Sequence, residues 1–266
     1  MNWKKSSKKI LSAFVPKGRM KEQIKLWFYN LFNDSKYKFS ISNSNIYQTN
    51  VHSITIQTAE ALYNIAPDFD YYQHYYKVKE GDYIIDAGAN FGHLTIYFSK
   101  KVGKSGRVYS FEPDSMNRNY IKQNLALNKD CPKNINMLDH LIWNNNEMVD
   151  FCESGTVASS ALYIEDSNKI VKKEAITLDK WAENNHLLKL DFIKMDIEGA
   201  EIQAIQGAKQ MLSKLKPNLA IASYHIVNGI PTYLWLENYF ESINYPYKTV
   251  KFRHNEIITF AGPTVK

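Results

Sequence analysis

The sequence contains no long apolar run and only two cysteines. No apolar stretch among its 266 residues approaches the roughly 20 residues that a membrane-spanning helix needs. The one candidate hydrophobic segment of a secretion signal, Ile10 to Val15, is six residues long and ends at Pro16, which argues against a signal peptide. Cys131 and Cys152 form neither a C-x-x-C motif nor a metal-binding spacing, which is typical of free thiols in a reducing compartment. We therefore expect a cytoplasmic location.

Positive charge is concentrated at the N-terminus. The formal net charge is +6, and residues 1–30 alone carry eight Lys or Arg against one Glu, so the rest of the chain is nearly neutral. Apolar residues recur at helical spacing on both sides of Pro16, which predicts two short basic amphipathic helices. Such helices either pack on their own domain, which is the first interpretation, or contact an anionic membrane surface. Nucleic acid is the least favoured partner.

Two aromatic patterns precede residue 77. Alternating apolar residues predict short strands around Tyr37 to Ile41 and around Ile54 to Ile56. A cluster of aromatic residues then follows, with His74 among Tyr71, Tyr72, Tyr75 and Tyr76. Aromatic faces stack on sugar rings, but a tyrosine-rich helix more often packs against a sheet edge, and we favour packing.

The stretch from Tyr83 to Gly92 is the centre around which the chain is organised. An apolar run ends in Asp86, a turn contains Gly88 and Gly92, and a helical pattern begins at His93, which predicts a strand, a tight turn and a helix. Glycine has no Cβ and lets a ligand approach backbone N–H groups at the start of a helix. The pattern indicates a nucleotide-like cofactor.

The order of residues in the turn distinguishes between cofactors. A dinucleotide site has G-x-G-x-x-G, whereas this turn reads Asp86-x-Gly88-x-Asn90-x-Gly92. The acid suits an ammonium group and the helix amides suit a carboxylate, as in an amino-acid head. A second strand, Arg107 to Phe111, is followed by Glu112, 20 residues after Gly92, which is the spacing for binding ribose hydroxyls. An amino-acid head with a ribose describes S-adenosylmethionine (SAM).

The next segments continue an alternation of strands and helices. A helical pattern over Asn117 to Asn128 leads to a third strand, Ile135 to Leu138, and extended segments are predicted at 141–143 and 149–151. Asp139 and His140 follow the third strand. They either bracket an adenine ring or cap a turn, and the sequence leaves both readings open.

A second group of acidic residues follows a later strand. Residues 190–195 predict a strand, Asp196 and Glu198 lie in the turn behind it, and a helix is predicted over 202–212. Ligands of open α/β sheets bind beyond the carboxyl ends of the strands, so these acids should lie at the mouth of the cofactor site. Residues 218–225 predict another strand, ending at His225, which is either structural or catalytic. A helix over 233–240 and a hairpin of 247–250 with 257–260 complete the chain.

Four segments resemble the FkbM family of SAM-dependent methyltransferases, namely residues 85–92, 111–113, 124–128 and the Lys-x-Asp-x-Glu-Gly-Ala-Glu element within 191–201. The resemblance runs from about Gly81 to Ala261. It implies an α/β fold with a Rossmann-like, mostly parallel sheet of seven strands, the class I methyltransferase core, and methylation of hydroxyls on sugars or secondary metabolites. We treat residues 1–75 as an N-terminal extension with a helix and short strands, and 76–266 as the SAM-binding domain. The expected cofactor-binding residues are Asp86, Gly88, Asn90, Phe91, Gly92, Glu112, Pro113, Asp139, His140 and Asp196.

The expected chemistry is attack of a substrate oxygen on the methyl group while a base takes its proton. His225 is the first candidate base and Asp196 the second; alternatively, Asp196 with His225 or Glu198 holds a divalent cation. The sequence lacks a clear metal triad, so no metal is assigned. A nucleic-acid methyltransferase should show Asn/Asp-Pro-Pro-aromatic at 196–199 and a basic body, and this chain has neither. A non-catalytic scaffold is disfavoured by the intact acids, and the expected acceptor is a small molecule or a glycan.

Overall fold

A computed structural model describes residues 18–32, 36–42, 46–63, 65–156, 159–162 and 169–266. The chain divides into two compact units between Pro67 and Asp68, rather than after residue 75 as the sequence suggests. The tyrosine cluster therefore belongs to the second unit. None of the helices in the described ranges is both long enough and apolar enough to cross a bilayer.

The N-terminal unit contains one described helix and an antiparallel sheet of three strands in the order β1-β2-β3. Their bounds are α1 Arg19–Phe32, β1 Phe39–Ile41, β2 Tyr47–Val51 and β3 Ile54–Thr58. Helix α1 is the second of the two predicted amphipathic helices, while the first, before Pro16, lies outside the described residues. Strand β2 was not predicted because its sequence is largely polar.

Helix α1 is joined to β1 by a pair of side-chain hydrogen bonds. The Asn30 side chain donates to the carbonyl of Phe39 at 2.7 Å and accepts from its N–H at 2.9 Å. Tyr29 packs on Tyr63 with ring centroids 4.5 Å apart. Other large apolar side chains of the helix are exposed to solvent, among them Met20, Trp27, Leu31 and Phe32.

The second unit is built on a seven-stranded sheet in the order β14-β15-β11-β10-β4-β5-β6. Strands β11, β10, β4, β5 and β6 are parallel to one another, and β15 pairs antiparallel with both β11 and β14. The strands are β4 Tyr83–Ala87, β5 Arg107–Phe111, β6 Ile135–Leu138, β10 Phe192–Met195, β11 Asn218–Ala222, β14 Tyr247–Lys251 and β15 Ile257–Ala261. The predicted fold class, including the terminal hairpin, is confirmed.

Helices of this unit connect the strands and bury the apolar faces of the sheet. Strands β10 and β11 are buried along their whole length, as expected of parallel strands covered on both faces. Asp114 caps the N-terminus of the helix Ser115–Leu127 (α4): its carboxylate accepts the N–H of Met116 at 2.7 Å and of Asn117 at 3.2 Å. The helices are α2 Asp68–Tyr71, α3 His93–Val102, α4 Ser115–Leu127, α5 Leu178–Asn184, α6 Glu201–Gln206, α7 Lys209–Leu215 and α8 Thr232–Ser242. A turn of 3-10 helix spans Arg253–Asn255.

The helix predicted over 202–212 is in fact two helices, α6 and α7, separated at Gly207. A Cβ on Gly207 would lie 2.2 Å from the carbonyl oxygen of Trp143, so two backbone segments meet there. Helical spacing of apolar residues does not reveal such a contact, which joins positions far apart in the sequence.

A second, smaller sheet has the strand order β7-β9-β8. Its strands are β7 Leu141–Ile142, β8 Glu147–Cys152 and β9 Ile170–Ile176. The extended segments predicted at 141–143 and 149–151 correspond to β7 and β8, whereas β9 was not predicted. The strand predicted over 218–225 ends at Ala222 and is followed by the short hairpin of β12 Ile226–Val227 and β13 Ile230–Pro231.

The tyrosine cluster packs on the main sheet, as the favoured interpretation holds. Ring centroids lie 4.4 Å apart for Tyr71 and Phe252, 5.1 Å for Tyr75 and Phe260, and 5.5 Å for Tyr76 and Phe192.

Candidate active site

The glycine turn after β4 lies directly against the backbone that follows β10. Gly88 has a positive φ of +76°, and a Cβ placed on it would lie 1.8 Å from the carbonyl oxygen of Asp196. The Asp196 N–H donates to the carbonyl of Ala87 at 3.1 Å. Only glycine combines this conformation with this approach, so the turn and the acidic segment meet backbone to backbone.

Asp86 lies beneath the turn and is completely buried. Its carboxylate accepts from the Thr95 hydroxyl and is 3.4 Å from the Lys194 ammonium, which itself donates to the carbonyls of Gly88 at 2.7 Å and Ala87 at 3.2 Å. Burial alone would lower the pKa of Lys194, but nearby carboxylates, chiefly that of Asp86, hold it above its usual value. The sequence predicts that Asp86 binds an ammonium group, and this stays a prediction; within the described residues its buried Oδ1 makes no hydrogen bond.

Lys194 is not among the predicted site residues. The residue lies within an otherwise apolar strand and is 4% exposed. The signal in the sequence that could have identified Lys194 is a lysine inside an apolar strand, because a buried cation needs a buried anion as its partner.

Glu112, at the end of β5, reaches across to the turn after β4. It is 5% exposed, and its two carboxylate oxygens accept the N–H of Asn90 at 2.7 Å and of Asp114 at 3.0 Å. Burial raises the pKa of Glu112 to about 7, although both N–H groups act in the opposite direction. Within the part of the chain that the structure describes, the buried Oδ1 of Asn90 has no hydrogen-bond partner. A carboxylate and an amide oxygen, both acceptors for hydroxyl groups, therefore lie together.

The other predicted residues of these two turns tie them to helix α4. The carbonyl of Phe91 accepts from the Asn124 side chain at 2.8 Å, and that of Pro113 accepts from the Arg118 guanidinium at 2.7 Å. Gly92, with φ +78°, immediately precedes α3. The structure thus brings Gly88, Asn90 and Glu112 together, with Phe91, Gly92 and Pro113 alongside.

Asp139 and His140 directly follow Leu138 of β6, whose carbonyl accepts the Glu112 N–H at 2.9 Å, and His140 lies beside the smaller sheet. The Asp139 side chain is 67% exposed, and His140 Nε2 is 3.6 Å from Glu174 of β9. Their proposed contact with an adenine ring stays a prediction.

Asp196, Glu198 and His225 converge at the carboxyl ends of β10 and β11. His225 Nε2 is 3.8 Å from Asp196 Oδ1 and 3.4 Å from Glu198 Oε2. One ligand atom from each residue can be chosen so that all three lie within 4.8 Å of one another. Glu198 has a left-handed φ of 54°, and Gly199 follows it with φ +98°, which turns the chain sharply before α6. The sequence predicted that these three residues share one edge of the sheet, and the structure places them there.

The surroundings of His225 argue against its role as the base. Burial opposes charge on the ring, but the carboxylates of Glu198, Glu201 and Asp196 outweigh it and raise the pKa of His225 to about 11. The imidazole in this arrangement is therefore protonated at neutral pH and has no lone pair with which to take a proton. Asp196, the second candidate, becomes the first.

Two further side chains, both without an assigned role in the sequence analysis, hold this cluster in place. Glu201 is completely buried, lies 3.2 Å from His225 Nδ1, and accepts the N–H groups of Ile197 and Gly199. The Tyr72 hydroxyl donates to Asp196 Oδ2 at 2.9 Å. Glu201 is the last residue of the Lys-x-Asp-x-Glu-Gly-Ala-Glu element, whereas Tyr72 comes from a distant segment that only tertiary structure brings close.

More acidic groups surround the cluster. Burial raises the pKa of Asp68, which is 3.7 Å from His93, and burial together with neighbouring carboxylates raises the pKa of Glu256 to about 7. The charge on Asp196, followed by burial, raises the pKa of Tyr224. The edge of the sheet beside the glycine turn is thus strongly acidic.

Comparison with known proteins gives this site a family. The family model of the FkbM methyltransferase domain matches residues 86–256. No curated protein sequence matches the chain.

One solved structure supports the fold, and others show a weaker similarity. The FkbM methyltransferase of Methylobacillus flagellatus KT is similar with a TM-score of 0.51 and 23% identity, over 68% of this chain and 43% of that protein, so this chain spans less than half of its length. A SAM-dependent methyltransferase of Aquifex aeolicus has a TM-score of 0.43 and 14% identity, over 74% of this chain and 92% of that one. Aeropyrum pernix fibrillarin, solved with natively bound SAM, has a TM-score of 0.42 and 14% identity, over 84% of this chain and 97% of that one.

The matched segment contains the glycine turn, Glu112 and the cluster of Asp196, Glu198 and His225, and it covers more than half of the chain. The protein therefore belongs to the FkbM family of methyltransferases.

Proposed function

We propose that the protein methylates a hydroxyl oxygen of a sugar, a glycan or another small metabolite. The observation that carries this proposal is the contact between Gly88 and the Asp196 carbonyl, which sets a group of carboxylates against the cofactor turn. An alcohol must lose its proton as the new bond to oxygen forms, and a carboxylate beside the methyl donor meets that need.

The residues present fit the cofactor. Glu112 and the unpartnered Asn90 Oδ1 in the described part of the chain are acceptors at the site where ribose hydroxyls are expected. When bound, S-adenosylmethionine supplies a methyl group on a positively charged sulfur, which a hydroxyl oxygen takes while the sulfur keeps the electron pair of the broken bond.

The chain's own residues provide the proton acceptor and its support. Asp196 takes the hydroxyl proton and passes it to solvent, while the Tyr72 hydroxyl fixes the carboxylate through Oδ2. The protonated imidazole of His225, held by Glu201, balances part of the negative charge. Lys194 anchors the glycine turn through the carbonyls of Ala87 and Gly88.

A nucleic-acid substrate is less well supported. The chain reads Asp196-Ile197-Glu198-Gly199 where an enzyme acting on base amines should have Asn/Asp-Pro-Pro-aromatic. A strongly acidic edge also repels a phosphate backbone.

The test is a search for the acceptor by mass. Purified protein and SAM are incubated with extracted glycan, glycolipid and metabolite fractions, and products are examined for the mass of one added methyl group and for its attachment to oxygen. Asp196→Asn should lower the rate by roughly 10² to 10⁴ while SAM binding persists. Methylation of RNA or of amines alone, or an unaltered rate in Asp196→Asn, would contradict the proposal.

We also propose a peripheral contact of residues 1–30 with an anionic membrane surface, from a cytoplasmic location. The support is the basic composition of this segment and the exposed Trp27, Leu31 and Phe32 on or next to it. Deletion of residues 1–32 should abolish sedimentation with vesicles rich in phosphatidylserine and leave SAM binding intact. Sedimentation that is equal for both proteins would refute the contact.

A further inference from the structure

His225 faces a point on which two carboxylates also converge. The residue is 7% exposed, yet neither ring nitrogen nor the buried Asp196 Oδ1 makes a hydrogen bond of acceptable geometry within the described residues. Glu198 Oε2 lies 3.4 Å from the same Nε2. Buried polar atoms are almost always hydrogen-bonded, so unpartnered atoms from two strands that point at one another need an explanation.

The groups behind these atoms hold them in the orientation that a metal ion needs. Glu201, completely buried and fixed by two backbone N–H groups, lies 3.2 Å from His225 Nδ1 and therefore leaves Nε2 to face the cluster. The Tyr72 hydroxyl occupies Asp196 Oδ2 and leaves Oδ1 free of that bond. A histidine whose second nitrogen pairs with a carboxylate is the usual arrangement at metal centres.

The charges also favour a cation. Three carboxylates, those of Asp196, Glu198 and Glu201, lie within 3.8 Å of one imidazole. A single positive ring does not balance three negative groups, and the completely buried Glu201 in particular needs a positive partner, because buried charges are paired or bind metal.

We propose that Asp196, Glu198 and His225 bind one divalent cation of the Mn²⁺ or Mg²⁺ type, which in turn holds the acceptor hydroxyl. Two carboxylate oxygens and one imidazole form a predominantly oxygen donor set, which suits these ions and leaves coordination positions for water or substrate. This role rests on the proposed O-methylation, whereas the site itself does not.

The cation changes the path of the proton. A bound hydroxyl loses its proton more readily, so its O–H bond breaks with the electron pair left on oxygen and the proton passes to water. The oxygen then bonds to the methyl carbon as the carbon–sulfur bond breaks, with its electron pair kept by sulfur. With the ion bound, Asp196 is a ligand instead of the base, and Glu198 is the second carboxylate ligand. His225 releases its proton to solvent so that Nε2 can coordinate the ion, and Glu201 is a positioning residue.

The experiment measures Mn²⁺ binding to the full chain, first without and then with SAM, by calorimetry and by electron paramagnetic resonance. We expect one Mn²⁺ per chain, displaced by excess Mg²⁺, with a spin-echo signal from a coordinated imidazole nitrogen. Glu198→Gln should lose saturable binding, and His225→Ala should lose the nitrogen signal, while both retain SAM binding. If His225→Ala does not fold, Glu198→Gln, whose side chain is 28% exposed, carries the test.

Glu174→Gln is the matched control, because Glu174 forms an acid–histidine pair with His140 at 3.6 Å outside the cluster. Its Mn²⁺ binding should equal that of the wild type. No stoichiometric binding to the wild-type protein, or equal binding in all variants, would overturn the site. If the protein methylates a hydroxyl but binds no Mn²⁺, only the proposed cation site is refuted. If the protein binds Mn²⁺ but methylates only amines, only the proposed O-methylation is refuted.

Discussion

The protonation state of the Glu112 carboxylate should make the affinity for SAM depend on pH. Glu112 Oε2 accepts the N–H of Asn90 at 2.7 Å, whereas Oε1 accepts the N–H of Asp114 at 3.0 Å and the Asn117 side chain at 3.5 Å. The ionised carboxylate therefore has room for a further bond at Oε2, and a ribose hydroxyl needs that position as an acceptor. Because burial raises the pKa of Glu112 to about 7, a large share of the molecules carries a protonated Glu112 below neutral pH, and protonation removes an acceptor.

The size of the effect follows from that pKa. If SAM binds only protein with an ionised Glu112, the apparent Kd equals the intrinsic Kd multiplied by the ratio of total protein to protein with ionised Glu112. This ratio is near 1 at pH 8 and about 11 at pH 6. Affinity should therefore fall about tenfold between pH 8 and pH 6, or about 1.4 kcal/mol. Affinity must fall, and not rise, as the pH is lowered, because SAM binds the ionised form of Glu112 and binding therefore releases a proton.

Isothermal titration calorimetry from pH 5.5 to 8 measures this dependence, with Glu112→Gln as the matched control. The amino group of the ligand titrates at about 8, so the readout is the ratio of the Kd of the variant to that of the wild type at each pH. The ratio should be largest at pH 8 and shrink as pH falls through 7. A ratio that is constant across the range would refute either the raised pKa or the ribose contact, and a variant that binds as tightly as the wild type at pH 8 would refute the contact itself.

Three further predictions concern the frame of the site. Gly88→Ala should abolish SAM binding and lower the melting temperature more than Gly229→Ala does. Gly229 is the control because it has a similar φ of +80° but, among the described residues, no atom within 4 Å of its Cβ position. The Gly229→Ala variant therefore measures only the conformational cost of a side chain at positive φ, about 1 kcal/mol. Lys194→Met should cost roughly 3 to 5 kcal/mol of unfolding free energy by leaving Asp86 without its cation, and the double variant with Asp86→Asn should recover part of it; additive losses in urea denaturation would contradict this pairing. Asp114→Ala should cost at least about 1 kcal/mol through loss of the helix cap, and an unchanged denaturation midpoint would count against it.

Much of the site was predictable because parallel strands end at a common edge. Met195 of β10 pairs with Ile221 of β11, so the residues that follow each strand must be close. Asp196 and His225 were found in this way from a pattern of apolar runs and polar ends. The glycine turn and Glu112 were found from spacing along a single strand–turn–helix unit.

What the sequence did not reveal depends on contacts between distant segments. Tyr72 is 124 residues from Asp196, and no local pattern links a tyrosine in the turn after a short helix to that carboxylate. The protonated state of His225 depends on three carboxylates at 3.2 to 3.8 Å, a geometry that the spacing of residues does not specify. The break at Gly207 likewise comes from the approach of Trp143.

The contact between Gly88 and the carbonyl of Asp196 has a consequence for how the site changes in evolution. The separation between the methyl donor's turn and the acidic edge is set by main-chain atoms, not by the rotamers of side chains. Side chains around the acceptor can therefore be exchanged, and a different molecule admitted, without altering the alignment of donor and acceptor on which the rate depends. A rigid reaction centre with replaceable walls is a physical basis on which one fold serves many acceptors.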